Sequence, residues 1–225
     1  MKRVGGGIER SAMIAAVVMC LVLMPLVSYG ENKYWVGGTS GWWDEITNWN
    51  PSGQPQAGDN AYLTQSDGID RTVDYRSTLD PAPLLWDLRI DATGSGTIAF
   101  FQTLYSLSTE AEVVGVSGNA TFDQSGGTNT AYGLYVGFQS GSTGTYNLSG
   151  SGTLSAASEN IGHFGTGTFN QSGATNTVTD LLSVGDRLGS VGVYNLSNTG
   201  VLSANGAVIG HSGTGTFTQT GAQMR

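Results

Sequence analysis

The chain holds a single cysteine, Cys20, which sits inside an N-terminal apolar run. A mature chain cleaved beyond it can form no disulfide, so an extended core and a backbone ladder must hold the fold together. Charge is also scarce, at 12% of residues, with a net of −8. So acidic a chain, with nine basic residues, makes a poor partner for an anionic membrane surface, and nucleic-acid binding is excluded. Beyond residue 30 no run of ten residues carries apolar positions at spacings of 3, 4 and 7, so helices are expected to be rare. No phosphate loop, serine elbow or zinc pattern appears. Tryptophan is missing from the whole second half: Trp35, Trp42, Trp43, Trp49 and Trp86 all precede residue 87.

What the chain has is glycine, 35 of them, and a repeat. Leu107-Ser108, Val114-Gly115 and Thr121-Phe122 recur as Leu154-Ser155, Ile161-Gly162 and Thr168-Phe169, and again as Leu202-Ser203, Ile209-Gly210 and Thr216-Phe217. A second unit lies between these copies: Leu134, Val136-Gly137 and Tyr146-Asn147-Leu148-Ser149, matched at a distance of 48 by Leu182, Val184-Gly185 and Tyr194-Asn195-Leu196-Ser197. The aromatic markers Phe122, Tyr146, Phe169, Tyr194 and Phe217 fall 24, 23, 25 and 23 residues apart. A period in that range signals a solenoid. Each unit contains three strand-like pieces separated by glycine or Ser-Gly. The fold expected is therefore all-β, a right-handed parallel β-helix of about 24 residues and three short strands per coil. Like residues then stack over like, with coils about 4.8 Å apart. The repeats supply about five such coils, a rod of roughly 24 Å. Gln124, Gln171 and Gln219 share one repeat position, held by Leu148 and Leu196 in the other unit. If that column faces inward, its amides need partners.

Residues 1–30 resemble nothing in the repeats. Lys2, Arg3 and Arg10 precede an apolar stretch from Ala12 to Val27, and Ser28-Tyr29-Gly30 supplies small residues for cleavage. This is the pattern of a secretory signal peptide, and the stretch is short for a bilayer span. Cleavage after Gly30 removes three of nine basic and one of seventeen acidic residues, leaving a net charge of −10. Residues 31–104 then form a tryptophan-rich head whose bulky rings are suited to cover the first coil of a stack. Within it, Thr72–Tyr75 and Leu84–Ile90 are expected to be the first solenoid strands. The alternative for the head is a carbohydrate platform in which Trp42 and Trp43 are candidate glycan contacts, with Asp44, Glu45 and Asn48 nearby. The repeat region, 105–225, stops at Arg225 in mid-repeat, so further sequence is expected beyond it.

These repeats resemble the β-strand repeats of bacterial autotransporter passengers and PEP-CTERM-type surface proteins. The head, with Tyr34-Trp35-Val36-Gly37-Gly38, Asn48-Trp49 and the turn from Pro55 to Asp59, looks like the segment that often precedes them. The resemblance implies a secreted, cell-surface or outer-membrane-associated stalk or adhesin without catalysis, meeting surface polysaccharide or other cells. Neither a C-terminal barrel translocator nor a Pro-Glu-Pro sorting segment is present in the sequence, and the membrane would be met only through the signal peptide or an anchor further on.

Chemistry is thin on the ground. His163 and His211 occupy one repeat position two coils apart, about 9.6 Å, too far to share a zinc ion whose ligands lie at about 2.1 Å. They read as surface residues. A glycosidase needs paired carboxylates about 5–9.5 Å apart. The repeat acids are Glu110, Glu112, Asp123, Glu159, Asp180 and Asp186, and only Asp180 and Asp186 flank a loop with a cation, Arg187. The Gly-Thr-Gly-Thr turns lack the aspartates of calcium-binding nonapeptides. No catalytic residue, metal ligand or cofactor is expected. Asn-X-Ser/Thr triplets at Asn119, Asn147, Asn170 and Asn195 follow from the repeat itself, because three of them come straight after an aromatic marker. The reading is a structural or adhesive solenoid, the alternative a carbohydrate-binding or polysaccharide-degrading one.

Overall fold

A computed structural model describes residues 30–77, 79 and 81–225, so the signal peptide expected at 1–30 lies almost wholly outside the described residues. The chain is a β-solenoid of about eight turns, with equivalent positions about 24 residues apart. Its strands run in the order β1 (Asn32–Trp35), β2 (Ser40–Trp42), β3 (Trp49–Asn50), β4 (Asn60–Gln65), β5 (Arg71–Tyr75), β6 (Leu84–Ala92), β7 (Ile98–Gln102) and β8 (Leu107–Val114). There follow β9 (Asn119–Gln124), β10 (Thr128–Val136), β11 (Thr143–Ile161), β12 (Thr166–Val184), β13 (Val191–Ser197), β14 (Val201–Ile209), β15 (Thr214–Thr220) and β16 (Gln223–Met224). One 3-10 turn, Ile46–Asn48, is the helical element among the described residues.

Nearly all pairing is parallel and in register. One column climbs through Lys33, Ala61, Leu88, Glu112, Leu134, Glu159, Leu182 and Ala207. A second climbs through Gly41, Val73, Phe100, Phe122, Tyr146, Phe169, Tyr194 and Phe217. Each column has eight members, three more than the five coils the repeats alone supply. The three extra coils belong to the head. There, successive first-column members are 28 and 27 residues apart, against 22 to 25 in the repeats, so no common register links head to repeats in the sequence. The solenoid therefore begins at β1, earlier than the strands at 72–75 and 84–90. Residue 104 marks a change of interior composition and no break in the stack, since β6 pairs with β8 and β7 with β9 across it. At the outer end β3 runs antiparallel to β1, matching Trp35 with Trp49.

Corners are made by glycine. Gly162 has φ +73, a region that side chains avoid. The facing Gly167 lies so close that a Cβ on it would stand 2.2 Å from the Gly162 nitrogen and 2.2 Å from the Val136 carbonyl oxygen. Val136-Gly137 and Val184-Gly185 repeat the corner one coil either way.

The interior explains why the repeat has two flavours. Phe122, Phe169 and Phe217 do line up, linked through Tyr146 and Tyr194 by ring separations of 4.6, 5.0, 4.6 and 5.2 Å. Beside this file three further columns alternate apolar with polar: Leu with Glu (88, 112, 134, 159, 182), Leu with Asn (107, 129, 154, 176, 202) and Gln with Leu (124, 148, 171, 196, 219). The glutamine column faces inward. Asn129 Nδ2 donates to Glu112 at 2.9 Å and to the Tyr146 hydroxyl at 2.9 Å, and that hydroxyl donates to Gln124 Oε1 at 2.8 Å. Asn176, Glu159, Tyr194 and Gln171 repeat the network, with contacts of 3.1, 3.0 and 2.7 Å. Each glutamine amide also donates to backbone carbonyls, as Gln124 does to Thr153 at 3.0 Å. One coil contributes Glu and Gln, the next Asn and Tyr, so the polar network closes only over two coils. That sets the period of 48.

Candidate functional site

The tryptophans of the head divide into two sets. Trp43 is 1% exposed, in edge-on contact with Trp49 at 4.7 Å, Tyr75 at 5.2 Å and Phe100 at 5.7 Å. Trp35 and Trp49 are buried with it, and the Trp49 indole N–H donates to the Trp43 carbonyl at 2.7 Å. Burial takes Trp43 out of the reach of a glycan, which corrects its candidacy; the ring closes the end of the aromatic file. Trp42 is 49% exposed, but the Arg76 guanidinium covers one face of its ring at 4.5 Å. Asp44 binds that same Arg76 at 2.9 Å, Glu45 accepts from Thr47 at 3.0 Å, and Asn48 donates to the Trp42 carbonyl at 3.1 Å. The polar groups around Trp42 thus brace their own loop.

In the repeats, a single row climbs the corner that follows Val-Gly or Ile-Gly: Phe138, His163, Asp186 and His211, tied by backbone bonds from each amide to the coil below. Asp186 Oδ2 contacts His163 Nδ1 at 2.9 Å, and its Oδ1 contacts His211 Nδ1 at 3.3 Å. Arg187 Nε adds a third partner at 3.0 Å. Phe138 stacks on His163 at 5.3 Å, and Phe164 meets it edge-on at 4.6 Å. His163 is therefore half-buried, which corrects its reading as a plain surface residue, whereas His211 is exposed. Burial pushes the His163 pKa down, against the pull of Asp186. Asp186 comes to lie between the histidines because Val184-Gly185-Asp186 is the counterpart of Ile161-Gly162-His163, a correspondence visible in the sequence. Asp180 does not join the row. Among the described residues no group of three or more His, Cys, Asp and Glu is placed to hold a metal ion.

The buried carboxyls of Glu112 and Glu159 are the most perturbed acids. Desolvation raises Glu112 to about 7 and Glu159 to about 8, partly offset by the Asn129 and Asn176 amides. Both are sealed inside, so their chemistry serves the core.

A trough runs along the outer face, about 550 Å³ around Tyr105, Ser108 and Thr130, continuing past Ser108 and Thr130 into a further 290 Å³ beside Glu110, Tyr132 and Ser155. Ser108, Thr130 and Ser155 line it, and their hydroxyl column runs on through Thr177 and Ser203, one residue per coil. Next to this column, Trp86, Glu110 and Tyr132 occupy one position in three successive coils, each flanked by paired residues. Trp86 is 65% and Tyr132 71% exposed. Neither stood out in the sequence, because position-for-position alignment of head with repeats is needed to see that they share a row. Around the corner, Asn147, Asn170 and Asn195 form an amide ladder starting at Asp123, with steps of 2.7, 2.9 and 2.9 Å. Each of these side-chain nitrogens is already engaged.

Among the described residues no helix is long and apolar enough to cross a membrane. Comparison with family models, curated proteins and solved structures found no match for the chain.

Proposed function

We propose that this chain is a secreted structural and adhesive surface solenoid, without catalytic function, that presents a stiff polar face to its surroundings. The observation that carries this reading is the unbroken parallel ladder of about eight turns, whose outside is ordered into rows of Ser, Thr and Asn side chains. At about 4.8 Å per coil the stack is roughly 38 Å long. Backbone hydrogen bonds run along its axis, so bending requires breaking several at once. The acidic balance keeps such a surface soluble. An N-terminal basic, apolar and small-residue sequence supports export.

The test is expression of the full chain behind its own N-terminus in a Gram-negative host, with N-terminal sequencing, protease accessibility on intact cells, and adhesion of beads coated with the purified chain. Export, a new N-terminus at Glu31 and adhesion above that of uncoated beads are expected. Retention of an uncleaved chain in the cytoplasm and inert beads would contradict the reading. A carbohydrate-binding role is favoured by one specific observation, the exposed ring pair Trp86 and Tyr132.

A further inference from the structure

We propose that the exposed row Trp86, Glu110 and Tyr132, at the edge of the outer trough, binds a neutral polysaccharide laid along the solenoid axis, held by the two rings with the Glu110 carboxylate between them. The inference deepens the surface-solenoid reading and rests on it. Trp86 and Tyr132 stand two coils apart in one row, about 9.6 Å, which is close to the length of one disaccharide in an extended β-linked chain. Sugar rings present flat C–H faces to aromatic rings, and large exposed rings at that interval are costly to leave in water without a partner.

Three further features choose the ligand class. The hydroxyl column Ser108, Thr130 and Ser155 runs alongside the rings and offers donors and acceptors at every coil, matched to a polymer of hydroxyls. Among the described residues that line the trough there is no Lys, Arg or His, and the charged one is Glu110, so a polyanion would meet repulsion there. A peptide partner is disfavoured by the same lining, which lacks the deep apolar pocket that anchors a hot spot.

The test is calorimetric titration of the full chain with cellohexaose, mannohexaose and chitohexaose, and with hexagalacturonic acid as the anionic probe. Binding of at least one neutral hexamer is expected. Trp86→Ala and Tyr132→Ala should each weaken it about tenfold or more, Trp86→Phe should keep most of it, and Trp42→Ala should leave it unchanged. All three positions are exposed, and unchanged circular dichroism would show the fold intact. The proposal is overturned if no neutral hexamer binds, if the acidic hexamer binds as well as the neutral ones, or if both alanine variants bind like the parent. Loss in only one of the two, or loss on Trp42→Ala, would equally refute the two-ring clamp. Failed titrations alongside intact export and bead adhesion would remove the trough proposal alone, whereas failed export would remove the broader reading.

Discussion

The three coils of the head and the five coils of the repeats share one hydrogen-bonded ladder but solve the problem of a filled interior differently. In the head, Trp35, Trp43 and Trp49 fill irregular space edge to edge, and coils of 27 or 28 residues tolerate uneven loops. In the repeats every interior place is prescribed by the coil below: Phe against Tyr, and Leu against Glu, Asn or Gln. An aromatic cluster is tolerant because dispersion and burial have little direction, whereas a buried amide or carboxyl must meet its partner or cost the fold its desolvation. Regularity in the repeats is thus imposed by hydrogen bonds that recur from coil to coil, whereas the head's buried hydrogen bonds, such as Trp49 to the Trp43 carbonyl, are single and local.

Breaking the two regions at a glycine should give the largest contrast. Gly167→Val puts side-chain atoms against backbone 2.2 Å from the Cβ position, while at Gly38 in the head nothing lies within 4 Å. Denaturant unfolding should show Gly167→Val losing more than about 3 kcal/mol or failing to fold, and Gly38→Ala changing stability by less than about 1 kcal/mol.

Next in size is a pH effect that rests on two buried glutamates of the repeats. Folding raises the Glu112 carboxyl to about 7 and the Glu159 carboxyl to about 8 from an ordinary value of 4.5. Below pH 4.5 both states are protonated and these groups leave stability unchanged. Between there and about pH 8 the unfolded chain releases protons that the folded chain retains, so stability falls as pH rises. Protonation also turns a carboxyl oxygen into a donor, and Asn129 Oδ1 and Asn176 Oδ1 are acceptors left unpartnered in the same networks. The urea midpoint should drop between pH 5 and pH 8.5, and the double variant Glu112→Gln/Glu159→Gln should flatten that drop. An equal drop in the double variant would show that other groups carry it.

The smallest effect sharpens the boundary between the regions. Gln102 is the head's member of the glutamine column, and its Oε1 lacks a partner because the ring above it is Phe122, with no hydroxyl. Phe122→Tyr would extend the repeat's hydrogen bond into the head. Thermal unfolding should show a gain of up to about 1 kcal/mol, and a loss would mean that Leu107, standing where the repeat has Asn129, leaves no room for the hydroxyl.

How much of this was legible depended on the same contrast. The offsets from Leu107 to Phe122 and their copies were enough to set the coil length, the aromatic file and the inward glutamines as candidates, because hydrogen bonding forbids drift there. The head's coils were hidden, since Ala61, Val73 and Lys33 bear no likeness to Leu182 or Tyr194 although they share their columns. Trp43 fits the capping role expected of the head and not the alternative glycan one, a choice hidden for a related reason: adjacent tryptophans alternate across a strand end, and nothing in Trp42-Trp43 says which one turns inward. The Trp86–Tyr132 row needed the head's register before it could be seen at all.

The central claim is that residues nearly a hundred apart in the chain stand a few coils apart in one straight column. Spin labels at Ser108→Cys and Ser203→Cys, in a chain carrying Cys20→Ser, test it directly, because four ladder steps join the two sites through Thr130, Ser155 and Thr177. Pulsed dipolar spectroscopy should give a narrow distribution centred near 19 Å between backbones, four steps of about 4.8 Å. A broad distribution, or a centre beyond about twice that distance, would contradict the stacked solenoid.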